Sequence, residues 1–245
     1  MQPRFQMELV DDGLSALQTF SHEGRRYVLG TLGQRYRIRV SNPSAARVEA
    51  VVSVDGLDAL DGKTASLSKR GYVVPAFGSV TIEGFRTSMD TVAAFRFSSV
   101  RDSFAGRKGQ DRNVGVIGVA IFKEKVVAPP VEIARPMARG QSRSAEPKSN
   151  AAREDSAGAM RPRKDRPGLG TEFGEQRESR VRETVFVRES ELPASTLELR
   201  YNDREGLRAL GIAIPPEPVE RDFDLELRES AQPFPGGRRF AQPPP

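Results

Sequence analysis

The sequence predicts an all-β fold, an antiparallel β-sandwich of jelly-roll or immunoglobulin-like kind, and three observations carry that expectation. Short runs rich in valine, isoleucine and aromatic residues recur through residues 5–125. Several alternate apolar and polar side chains with a period of two, the pattern of a strand that buries one face. Turn-forming Gly, Pro, Asn and Asp punctuate them, and helical periodicity is nearly absent.

Taken in order, "FQMELV" and "RRYVLGTLG" are the opening strands, and His22 sits beside Glu23-Gly24 in a hairpin turn. "RYRIRVS" alternates Tyr36, Ile38 and Val40 with Arg35, Arg37 and Arg39. "RVEAVVSV" follows the turn chemistry of "NPSAA". "GYVVPAFGSVTIEGF" holds two short strands broken at Pro75 and Gly78, "VAAFRFSSV" is another, and "NVGVIGVAIFKEK" closes the set. Gly115 and Gly118 inside that last strand suggest a bulge or tight packing against bulky residues such as Phe95 and Phe97. The expected domain spans residues 1–126.

Residues 127–170 change character. They are proline-rich, basic on balance and devoid of aromatic residues, so they bury too little apolar area to offset the entropy of ordering them. A disordered linker is expected there. Residues 171–214 then read as a small β-β-α segment: a strand in "SRVRETVFVRES", a second in "STLELRYN", and a short helix in "NDREGLRALGI" capped by Asn202 or Asp203 and ended by Gly211. At about 45 residues it is too small to bury a core of its own. "DFDLELR" looks like an add-on strand within a Pro-rich tail, residues 215–245.

Composition excludes several chemistries. The chain has 245 residues, 37% hydrophobic, with no cysteine and one histidine, His22. Disulfides, thiolate metal sites, thiol nucleophiles and multi-histidine metal sites are therefore ruled out. His22 would need a nucleophile and an orienting acid to act in catalysis. No apolar core of signal-peptide length follows the first methionine, and "VGVIGVAIF" is far below the roughly 18–20 residues that span a bilayer. A cytoplasmic protein is expected, without cofactor, metal or catalytic residues. The net charge of +5 allows weak attraction to polyanions without identifying one.

Four stretches are candidates for function. In "VDGLDALDGK", Asp55, Asp58 and Asp61 lack the spacing of a calcium loop, and Asp-Gly pairs favour turn corners, with Asp58 in a short helical turn. "FAGRKGQDRNVG" concentrates glycine and basic residues, but lacks phosphate-loop spacing and a following helix, so a mobile hairpin connection is expected. The row Arg35, Arg37 and Arg39 is either a phosphate-contacting stripe or a solvated strand face neutralised by neighbouring acids. "GLGTEFGEQRESRVRE" frames Phe173 with glycines, as a peptide docking at a sheet edge would; alternatively Phe173 serves the small segment's own core.

Four motifs also resemble a bacterial protein family: "AVVSVDGLDALDGKTAS", "RGYVVPAFGSVTIEGFRTS", "VAAFRFSS" and "RNVGVIGVAIF". In that family a compact β domain precedes a variable linker and a terminal segment similar to "GLGTEFGEQRESRVRETVFVRES…LELRYNDREGLRALGI". The resemblance covers about residues 5–125 and 168–214. It implies a shared architecture and no activity, cofactor or catalytic residue.

The functional expectation is a non-enzymatic protein-binding or assembly module. Its distal segment would dock on a sheet edge of the same chain, a second copy or a partner, through Phe173, Val185, Phe186, Val187, Leu197, Leu199 and Tyr201. The alternative is a polyanion, in particular nucleic-acid, binder using Arg35, Arg37, Arg39 and the basic linker.

Overall fold

A computed structural model describes residues 4–126 and 167–216, and every element below lies in the unit that ends at Ile212. Most of the expected linker, the "DFDLELR" strand and the Pro-rich tail lie outside the described residues. The front half supplies β1 (Gln6–Val10), β2 (Thr19–His22), β3 (Arg25–Leu29), β4 (Arg35–Ser41), β5 (Val48–Val54) and β6 (Leu57–Asp58). It continues with β7 (Tyr72–Val74), β8 (Ser79–Ile82), β9 (Gly84–Arg86), β10 (Thr91–Ser99) and β11 (Val116–Lys123). The distal segment supplies β12 (Leu169–Glu178), β13 (Ser195–Asn202) and a helix, Arg204–Ala209.

These strands form two sheets. The first has the order β1-β4-β10-β12, with β8 on β4 and β9 on β10. The second has the order β2-β3-β13-β11-β5-β6, with β7 on β5. Their inner faces meet in one core: Met7, Tyr36, Ile38, Phe95 and Phe97 from the first, Val28, Val52, Ile117, Val119 and Leu199 from the second. Tyr36, Ile38 and Val40 are buried on alternate positions of β4, as the period of two requires. An all-β sandwich is therefore the architecture.

The distal segment is built into that sandwich. β12 extends the first sheet by antiparallel pairing with β10. β13 lies between β11 and β3, antiparallel to the former and parallel to the latter, so it is an interior strand. The sandwich thus holds one parallel pair that the antiparallel expectation did not contain. The strand arrives after a crossing from the other sheet and not through a hairpin, which is what parallel pairing needs.

The first distal strand also differs from expectation. It runs through the glycine-containing "LGTEFGEQRE", and the valine-rich Val181–Val187 stretch forms no strand. Close approach explains the choice. A Cβ on Gly170 would meet Ser103 Cβ at 2.5 Å, and one on Gly174 would meet the Ala94 carbonyl oxygen at 2.6 Å. Glycine in this strand marks proximity, not weakness. Once β12 occupies the edge of one sheet, residues 179–194 must travel to the middle of the other, and that crossing is held only by scattered bonds, at Asp90 and Met89 near its start and by an isolated bridge of Arg188 with Glu124 further on.

Three smaller expectations are corrected. The "FAGRKGQ" connection contains a short helix, Phe104–Arg107, because Ser103 Oγ accepts from Gly106 N as its N-cap. Asp58 sits in β6 and not in a helical turn, although Leu57 is buried inward. Nothing lies within 4 Å of where a Gly118 Cβ would be, so tight packing does not account for that glycine.

Candidate functional site

The turn reading of "VDGLDALDGK" holds in its geometry. Asp55 and Gly56 have φ of 55° and 80°, Asp58 Oδ1 accepts from Leu60 N and Asp61 N, and Asp61 Oδ1 accepts from Lys63 N. What local chemistry did not foretell is that Asp55 is buried at 1% exposure. Its Oδ1 accepts from Gly115 N at 3.0 Å and from Tyr201 Oη at 2.6 Å, and its Oδ2 accepts from Thr171 N at 2.8 Å. Thr171 Oγ1 lies 2.8 Å from Tyr201 Oη and 2.6 Å from Tyr36 Oη.

Because an ionised carboxylate only accepts, the hydroxyl chain has a direction: Tyr36 donates to Thr171, Thr171 to Tyr201, and Tyr201 to Asp55. Burial pushes the Asp55 carboxyl up to about 6, against the opposing pull of these donors. Burial likewise raises the Tyr201 phenol well above its ordinary range, with the Asp55 charge adding to the effect. Through Tyr201 and Thr171 the carboxylate joins the front half to β13 and β12, and through Gly115 it ties the β5–β6 turn to the start of β11. The network is a structural clasp.

An open groove lies elsewhere, beneath the crossing segment. Residues 181–186, which form no helix, strand, turn or bend, run as a strap, tied at one end by Val181 N donating to Met89 O and at the other by Lys125 N donating to Val187 O. Between those ties the backbone of 182–186 makes no backbone hydrogen bond among the described residues. Arg188 anchors the far end. Its Nε donates to Glu49 Oε2 at 2.5 Å, its Nη1 to Leu67 O and its Nη2 to Lys69 O, and its guanidinium carbon lies 3.7 Å from the centre of the Phe122 ring. Under the strap is a cavity of about 590 Å³ lined by residues of β7, β8, β9 and the strap itself.

The seven candidate contact residues fall into three groups. Leu199 and Tyr201 are buried in the sandwich core and Leu197 packs partly buried against it, so these three hold the distal segment to its own front half. Phe173 stands opposite Phe95 in the β10–β12 ladder, stacks on Phe85 at 6.2 Å and packs at a tilt against Phe104 at 5.0 Å, so it belongs to the joint between the halves and not to a separate small core. The strap carries the rest: Phe186 faces the groove, whereas Val185 and Val187 are 82% and 52% exposed.

The arginine row is paired along its length. Arg35 meets Asp12 and Glu175, Arg37 meets Asp12 and Glu83, and Arg39 meets Glu8 at 2.8 Å. Glu175 also accepts from Arg96 at 2.6 Å, and Arg96 and Arg35 together hold its carboxyl down to about 2. Gly174 and Glu175 together oppose Ala94 where the β10–β12 register shifts, and this bulge places the Glu175 carboxylate between the two arginines. His22 packs edge-on against Tyr27 at the β2–β3 hairpin.

Two parts of this arrangement escaped sequence reasoning. The burial of Asp55 carried no local signal, since Asp-Gly is equally the mark of an exposed turn. Tyr72, which lines the groove, stood in a run read only as strand, and Arg86 just beyond the end of that run. No family model, curated protein or solved structure matches the chain. Among the described residues, no helix is long and apolar enough to cross a membrane.

Proposed function

We propose that the chain is a non-enzymatic protein-binding or assembly module which receives an extended partner segment along its strap. One observation carries this reading: a stretch of backbone without helix, turn or bend, unbonded from 182 to 186, that carries the exposed Val185, with the exposed Val187 just beyond it. Free N–H and C=O groups on extended chain offer a template for an added strand, and alternate apolar side chains provide its specificity. The partner is a second copy or another protein with an exposed strand. A cytoplasmic setting accords with the absence of cysteine.

Polyanion binding through Arg35, Arg37 and Arg39 is the weaker reading, since Asp12, Glu83, Glu175 and Glu8 already balance that row. The test is the double variant Val185→Lys/Val187→Lys in the full chain, checked for an unchanged melting temperature. It should lose self-association in sedimentation velocity, or lose the proteins that the parent captures by affinity purification. A folded double variant that keeps both would end the proposal.

A further inference from the structure

The distal segment fills a slot that the front half leaves open. In the order β2-β3-β13-β11-β5-β6, β13 is the strand that links the β2–β3 hairpin to β11. It bonds along both edges, Ser195–Arg200 pairing with Val116–Ile121 on one side and Arg200–Asn202 with Tyr27–Leu29 on the other. The slot also carries a buried acceptor. Asp55 takes two of its donors, Tyr201 Oη and Thr171 N, from the distal segment. An empty slot leaves two bare strand edges and a buried carboxylate short of donors, so an occupant is obligatory.

Nothing in these contacts requires the occupant to come from the same chain. The front half leaves the sandwich past Lys123, where β11 pairs with Val48. The distal segment enters at the opposite end, where Leu169 N donates to Asn202 Oδ1 at the close of β13. At about 3.3 Å per residue, β11 sets those two ends roughly 25 Å apart. About eight extended residues would cross that distance. The chain spends 40 residues on it, 127–166. Fully extended these reach about 130 Å, enough to deliver β12 and β13 to the slot of an adjacent molecule.

We infer that two copies of this chain exchange residues 169–212, each sandwich receiving β12 and β13 from the other in a closed, reciprocal dimer. Reciprocity follows from the slot: one-way donation would leave one copy unfilled and its Asp55 without Thr171 and Tyr201. The contacts made within a chain and between chains are identical, so tether and mass action decide between the two forms. A tethered segment meets its own slot at an effective concentration of the order of millimolar. The self-filled form therefore holds in dilute solution, and exchange sets in as the chain is concentrated. This does not depend on a partner strand along the strap.

The absence of cysteine makes a disulfide test clean. Gly118 and Glu198 stand opposite each other in the β11–β13 ladder, and nothing lies within 4 Å of a Gly118 Cβ. Their neighbours Ile117, Val119, Leu197 and Leu199 face the core, so this pair faces away from it. Opposed residues of an antiparallel pair have Cα atoms about 4.5–5.5 Å apart, within disulfide reach. Gly118→Cys/Glu198→Cys in one full chain should close an internal disulfide in dilute solution, which checks the geometry. Full chains carrying Gly118→Cys alone and Glu198→Cys alone are then mixed in urea, refolded together at high concentration and oxidised. Exchange should give mixed disulfide dimers in at least about 10-fold excess over either like-paired dimer, whereas chance collision gives about twofold. Should these variants fail to fold or to bridge, Ala120→Cys and Thr196→Cys, the next opposed pair on that face, replace them. Val185→Lys/Val187→Lys added to both chains should leave the excess intact, which separates this dimer from association along the strap. In a second arm, deleting residues 129–164 cuts the tether to less than about 20 Å of reach, too short for a chain to fill its own slot. That chain should be a dimer by light scattering, with the circular dichroism spectrum of the parent. A mixed-to-like ratio near two, or a shortened chain that stays monomeric, overturns the inference.

Discussion

Tyr201 Oη donates a 2.6 Å hydrogen bond to Asp55 Oδ1 across 146 positions of sequence, inside a core that water does not reach. Neither partner tolerates the loss of the other. Tyr201→Phe keeps the ring and its packing on Phe97 at 5.1 Å but leaves the buried carboxylate short of a donor. Stability should fall by about 2 kcal/mol, the cost of an unsatisfied buried acceptor. Urea unfolding should show a lower midpoint with an unchanged slope.

Acidity should act on the same bond with a definite sign. The Asp55 carboxyl titrates near 6 when folded, against 3.8 ordinarily, so the folded chain holds its proton more tightly. Stability contributed by this group therefore rises as pH falls through 6 and is complete below 3.8. Glu175 works the other way: held down to about 2, it stabilises above 4.5 and loses that contribution as pH drops below it. Between pH 6 and 4.5 Asp55 dominates, and stability should increase by about 2 kcal/mol. Asp55→Asn should flatten that slope in urea titrations across the window, and should lower stability at pH 5, since its amide N–H would face a donor.

Arg188 fixes the strap through a pair with Glu49 whose side chains are 14% and 7% exposed. Arg188→Ala leaves a buried carboxylate without its cation and uncovers Phe122, at a cost of about 3 kcal/mol. Hydrogen exchange should then quicken at Lys125 and Glu189, whose amides bond across the anchor, while the β4 and β10 amides stay protected.

Gly174→Ala places a methyl group 2.6 Å from the Ala94 carbonyl, which is backbone and cannot swing aside. The β10–β12 ladder must open locally, and a loss of about 2 kcal/mol or more is expected. Exchange at Phe173 and Gln176 should rise in step. An unchanged pattern would mean that the bulge has more room than its distances imply.

A chain ending at Lys125 lacks β12 and β13. It leaves β3 and β11 as open edges and deprives Asp55 of Thr171 and Tyr201. It should melt at least roughly 10 °C lower than the full chain, or aggregate outright. Light scattering with chromatography and a circular dichroism melt check both outcomes. A monomer as stable as the parent would show that the inserted strand contributes nothing.

How far the sequence itself reached depends on the range of the physics involved. Alternation in "RYRIRVS", turn chemistry at Asp55-Gly56 and Glu23-Gly24, and the Asp203 cap each act over a few residues, so they could be read directly. The same locality misplaced the first distal strand: Val181, Val185 and Val187 have the better propensity, yet β12 formed where Gly170 and Gly174 allow two backbones to meet. Propensity is a local preference, and close approach is a property of a pair.

The sequence by itself determined that two apolar-faced layers would form in the front half, because a period of two leaves such strands no other way to hide one face. Only the tertiary structure decided that β13 enters between β3 and β11, that Asp55 is a buried acceptor, and that Tyr72 and Arg86 line one groove. Each of those facts joins residues far apart in the chain. Burial and charge balance belong to the assembled neighbourhood and not to any single stretch that contributes to it.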